Sequence, residues 1–101
     1  MMDLNDYIDE MERDSNRWFD YEDGEHQLRT FVLGLCGESG EVADLLKKYI
    51  RGSKTFDEMK DLMEVELIDV FHYWCLLIGL LGVDVEVVYR KKRKVNVARF
   101  G

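Results

Sequence analysis

Four acids have the spacing to do chemistry: Glu38 with Glu41, and Glu66 with Asp69. The members of each pair stand at i and i+3, so on a helix both side chains share one face. Their surroundings set them apart from ordinary surface acids. Positions 31, 35, 38, 42, 45 and 49 form one helical seam that is apolar or aromatic everywhere except Glu38. Positions 59, 63, 66, 70, 73 and 77 form a second, broken only by Glu66. Burying isolated carboxylates is costly, and like charges one turn apart repel. Neither seam carries a lysine or arginine near these acids. A hard divalent cation, Mg²⁺ or Mn²⁺, is the compensation that carboxylate oxygens and retained water suit.

Other acids fit a plainer account. Asp57, Glu58, Asp61 and Glu64 read as a solvated helix face, and Glu41 by itself suits either a ligand or a surface residue. Gly34, Gly37 and Gly40 surround the first pair. Each costs a helix about 1 kcal/mol relative to alanine. They imply close helix packing, clearance for metal, water and ligand, or both.

The elements that must position these groups are helices. Apolar spacing predicts a helix from about Leu4 to Phe19, capped by Asp3, and a loop at 20–25 around Gly24. A second runs from about His26 to Ile50, with Lys47, Lys48 and Arg51 at its negative end. Thr55 and Glu58 form a capping box for a third, which reaches Leu81 and stops at Gly82. Asp84 caps a fourth that ends near Ala98. No credible strand or repeat is present, and the chain has no proline. The expected fold is an all-α, four-helix bundle in a single domain over residues 1–101.

The chain has 101 residues, is 47% hydrophobic and 35% charged, and carries a net charge of −7. That composition excludes a disordered polar tract. Two cysteines, Cys36 and Cys75, are too few for a disulfide scaffold and read as reduced thiols. The acidic start lacks the basic and apolar regions of a secretory signal. The longest uncharged run, Val70 to Val83, is 14 residues, too short to span a bilayer. A cytoplasmic protein without a membrane partner is the expectation. Residues 1–89 hold all 21 acids and eight of the 14 bases, leaving −13. The last twelve hold the other six bases and no acid. Such an acidic body disfavours nucleic acid, while the basic end suits the phosphates of a small ligand. Two helices of about 25 residues, each roughly 37 Å long, leave much apolar surface uncovered in so short a chain. A homodimer or homotetramer is therefore expected.

The acids and glycines also carry a family resemblance. Gly34-Leu35-Cys36-Gly37-Glu38-Ser39-Gly40-Glu41-Val42-Ala43-Asp44 resembles the GLxGExGExAD stretch of the MazG-type, all-α nucleoside triphosphate pyrophosphohydrolases. Glu66-Leu67-Ile68-Asp69-Val70 resembles that family's ExxDV, with 24 residues between Glu41 and Glu66. Lys92, Asn96 and Arg99-Phe100 resemble its terminal KxxxNxxRY/F pattern. The similarity covers residues from about 26 to 100.

The resemblance implies a MazG-like bundle, completed by oligomerisation, that hydrolyses a nucleoside triphosphate to the monophosphate and pyrophosphate. Glu38, Glu41, Glu66 and Asp69 would hold Mg²⁺ (Mn²⁺ being possible chemistry for the same oxygens). Glu41, with Glu38 beside it, is assigned to the attacking water. Lys92 and Asn96 would reach phosphates or sugar, with Arg99 on the same helix face. His26-Gln27 is spaced as in the dCTP pyrophosphatase branch, where a histidine lies beside the base. Trp18 and Trp74 are candidates for stacking on a base, although aromatics at helical spacing are more often core. His72 departs from the family, whose residue there is usually aromatic or aliphatic.

Two other readings compete. A di-metal carboxylate redox bundle would use Glu-x-x-His pairs from facing helices, but this chain offers only Asp69-x-x-His72. A non-enzymatic helical interaction module would use the acids as a partner surface.

Overall fold

The computed structural model describes all 101 residues, which form four helices and no strand. They are α1 (Leu4–Trp18), α2 (Gly24–Ile50), α3 (Phe56–Leu81) and α4 (Val85–Phe100). The boundaries follow local chemistry. The Asp3 carboxylate accepts from the Asp6 N–H while Asp6 reciprocates, closing a capping box on α1. Thr55 and Glu58 do the same for α3, and Asp84 accepts from the Val87 N–H to start α4. Gly82 ends α3 at φ 61°, a left-handed conformation that glycine adopts without a Cβ penalty. α1 ends one residue before the expected Phe19 and α4 runs two residues past the expected Ala98, and the start of α2 differs as well. Gly24 belongs to the first turn of α2, because Asp23 caps the helix by accepting from the His26 N–H.

α2 and α3 are the antiparallel pair on which the rest is built. Tyr49 meets Phe56 edge-on beside the connecting turn, with ring centres 5.9 Å apart. Farther along, the Tyr73 ring lies directly against the α2 backbone at Gly34, where any Cβ would collide with it. α1 packs chiefly on α3, while Gln27 of α2 donates to Asn16 of α1 at 3.2 Å. Tyr7 meets Phe71 edge-on at 5.9 Å, and Gly79 lets Ile8 and Glu12 approach closely. That second contact explains why Cys75 and Leu76, outside the predicted seam, are among the most buried residues.

α4 leaves α3 at 104° and buries none of its residues. Only seven residues of the whole chain are buried. The radius of gyration is 16.4 Å, against about 13 Å for a compact domain of this length. The accessible surface is 7780 Å², whereas a monomer of this mass typically exposes about 6,000 Å². Leu62, Val65 and Ile68, three residues apart along α3, are all exposed. No single helix is long and apolar enough to cross a membrane.

Candidate metal centre

The antiparallel register of α2 and α3 decides what the four acids meet. Leu45 and Met59 are buried toward the turn, and Gly34 and Tyr73 close the pair farther along. Glu38 and Glu66 occupy the layer between, each half-buried. Asp69 follows Glu66 by one turn and joins them. One carboxylate oxygen from each of Glu38, Glu66 and Asp69 lies within 4.8 Å of the others. Oε2 of Glu38 and Oε2 of Glu66 are both fully shielded and have no hydrogen-bond partner. Buried oxygens without partners are rare in folded proteins, and here they converge from two helices.

The electrostatics agree with the geometry. Glu66 is raised to about 7, first by a hydrogen bond shared with the Glu41 carboxyl, then by burial and by the charges of Glu41 and Glu38. Burial, followed by the charges of Glu41 and Asp69, raises Glu38 as well. Burial and then the Glu38 charge raise the Tyr73 phenol. No lysine or arginine forms an ion pair with any of the four acids. Instead, Lys48 pairs with Asp44 at 2.9 Å and Lys60 with Glu64 at 2.8 Å, both out on the exposed faces. Without a cation, the cluster must keep a proton to lower its charge. Three converging hard oxygens, two of them orphaned, suit a divalent ion that takes oxygen ligands. Mg²⁺ fits such a donor set.

Glu41 is placed differently from the other three. It is exposed and stands outside the convergent trio, yet its carboxyl lies close enough to raise Glu66. Asp57, Glu58, Asp61 and Glu64 are all exposed, as a solvated face requires.

The remaining sequence candidates are scattered. Lys92 and Arg99 are exposed on α4 and Asn96 is half-buried there. That helix does not pack along α2, and its one ion pair is internal, Arg90 with Glu86. The chain alone therefore does not bring them to the acids. Trp18 is 61% exposed at the end of α1. Trp74 stacks on Phe71 at 6.0 Å, within the aromatic group that α1 covers.

His26 lies closer to the chemistry. Together with Tyr21, Thr30, His72, Tyr73 and Leu76 it lines a cleft of about 250 Å³. The cleft adjoins the acids through Tyr73. Tyr21 and Tyr73 are its aromatic walls, and sequence reasoning did not single out Tyr21. Its only sequence signal was an aromatic residue in a polar loop just before α2. The Tyr21 hydroxyl is held at 2.7 Å from the buried Ser15 Oγ. A larger recess, about 700 Å³, lies between the starts of α1 and α4 and contains none of the four acids.

Comparison with family models, with curated proteins and with solved structures gives no match.

Proposed function

We propose that this chain is a Mg²⁺-dependent nucleoside triphosphate pyrophosphohydrolase that acts as a homo-oligomer. The observation that carries the reading is the pair of shielded, unpartnered oxygens on Glu38 and Glu66, converging with Asp69 inside an otherwise apolar helix pair. The motif resemblance supplies the reaction class, and the donor chemistry supplies the ion. Glu38, Glu66 and Asp69 hold the metal. When bound, Mg²⁺ offsets the charge of a triphosphate and stabilises the phosphoryl group in transfer. Glu41, exposed at the edge of the cluster, orients a water and takes its proton in this reading. That water attacks the α-phosphorus, the bond from that phosphorus to the bridging oxygen breaks, and pyrophosphate leaves with the electron pair.

Oligomerisation is part of the proposal. The chain exposes about 1,800 Å² more than a compact monomer of its mass; covered on both copies of a dimer, that is about 3,600 Å² in total, in the range of obligate interfaces. Lys92, Asn96 and Arg99 lie on an arm that projects from its own helix pair. In an assembly, that basic arm meets the acidic body of another copy, bringing phosphate ligands to a site that one chain leaves incomplete.

The test is a panel of nucleoside triphosphates incubated with Mg²⁺, with the products separated by chromatography. Monophosphate and pyrophosphate should appear with the unmodified protein and vanish with Glu38→Gln. Diphosphate with phosphate, or unchanged turnover in Glu38→Gln, refutes the assignment.

A further inference from the structure

His72 is a half-buried imidazole that the proposed hydrolysis does not use. Its ring meets Tyr73 edge-on at 5.6 Å, and neither nitrogen has a hydrogen-bond partner in the chain. It opens onto the cleft that also contains His26 and Thr30. His26 is fixed there. Its Nδ1 accepts from the Glu22 N–H at 3.0 Å, so in the neutral ring the hydrogen sits on Nε2. The cleft thus offers one imidazole with a set tautomer and a second with both nitrogens unpaired.

Helix spacing fixes how the cleft relates to the acids. Thr30, Gly34 and Glu38 occupy successive turns of α2, and Asp69 precedes His72 by one turn of α3. Thr30 and Glu38 lie about 12 Å apart along α2, with the Tyr73 ring packed on Gly34 between them. A nucleoside triphosphate passing over Tyr73 is long enough to reach both ends, phosphates at the carboxylates and base in the cleft.

We infer that His72 is a specificity-determining residue that hydrogen-bonds to the edge of the substrate's nucleobase. The inference rests on the triphosphate reading above. A purely structural His72 predicts the opposite behaviour: leucine, of similar size and apolar, would then leave base preference untouched. A site built around a hydrogen bond instead loses discrimination when that partner goes, because groups on the base are left unpaired.

The experiment is calorimetric titration of the four common deoxynucleoside triphosphates, and of inorganic tripolyphosphate, with Ca²⁺ in place of Mg²⁺. It uses the unmodified protein, His72→Leu and His72→Gln, each first shown to melt as the parent does. In His72→Leu the tightest nucleotide should weaken about tenfold or more and the four affinities should draw together. Glutamine should restore part of the difference, and tripolyphosphate, which has no base, should bind all three proteins alike. Equal weakening of every ligand, tripolyphosphate included, would place His72 at the phosphates and overturn the inference. So would an unchanged ranking, or no binding of any nucleotide to the parent. Base-selective binding without hydrolysis in Mg²⁺ would leave His72 in its role and remove the pyrophosphohydrolase reading instead.

Discussion

Magnesium should stabilise this chain most where protons can no longer do so. The metal-free cluster lowers its charge by retaining a proton, as the rise of Glu66 from 4.5 to about 7 shows. The native carboxyl therefore holds its proton over a range where the unfolded one has lost it. Native protein binds more protons than unfolded protein between pH 4.5 and 7, so stability must fall as pH rises through that window. The contribution is fully present below 4.5 and lost above 7, and the raised Glu38 acts in the same direction. A cation that replaces the proton removes the loss. At a hundred times its dissociation constant, an ion bound only by the native state adds about 2.7 kcal/mol. For a domain of this size that corresponds to a Tm increase of roughly 10–20 °C. Thermal melts at fixed protein concentration, with and without Mg²⁺ at pH 8 and pH 5, measure it. The shift should be large at pH 8 and small at pH 5, where protons compete for the same oxygens. Glu66→Gln supplies the control. Without metal it should melt above the parent at pH 8 and level with it at pH 5, and Mg²⁺ should move it less. A Tm that responds to Mg²⁺ no more than to sodium chloride of equal ionic strength refutes the reasoning. A metal-free Glu66→Gln that melts below the parent at pH 8 refutes it too.

Three further outcomes follow from the packing. Gly34→Ala drives a methyl into the Tyr73 ring and should cost about 1–3 kcal/mol in a urea melt. Gly37→Ala meets nothing within the chain and should gain about 1 kcal/mol from helix propensity in the metal-free protein. Cys36 should react with a thiol reagent in the folded protein, whereas Cys75, completely buried and pushed up to about 11 by that burial, should react only after unfolding. Amide hydrogen exchange along α4 should be fast in dilute protein, since none of its residues is buried, and slow as concentration drives association. Equal protection of α4 at all concentrations, with sedimentation as a monomer throughout, removes the proposed assembly.

Legibility in the sequence tracked how local each determinant is. Asp3, Thr55 with Glu58, Asp84 and Gly82 act on backbone groups within four residues, and every one of them caps or ends a helix as expected. Glu38 and Glu66 were legible because a heptad-like spacing shows which face a helix turns inward, and a charge on that face is conspicuous. The exposed α4 was not legible as an outlying arm, since its 104° departure is set by what it finds to pack on, and α2 and α3 are not that surface. The burial of Cys75 and Leu76 was hidden for a related reason: α1 covers a second face of α3 that a one-seam reading leaves to solvent.

The glycines show the same limit most sharply. Gly34, Gly37 and Gly40 are identical in type and regularly spaced, yet only Gly34 is held to glycine by a neighbour in this chain. Gly37 and Gly40 leave a strip of bare α2 backbone flanking Glu38 and beside Glu41, with no atom opposite. Two helix-weakening residues with no packing contact inside the chain leave that face open to a partner or ligand from outside it. The strip borders the acids, so the approach it opens leads to the carboxylates. Substitution by alanine at Gly37 or Gly40 should therefore leave the isolated fold intact or firmer while impairing whatever reaches the acids. That separation of stability from function is one that no core position of this protein can show.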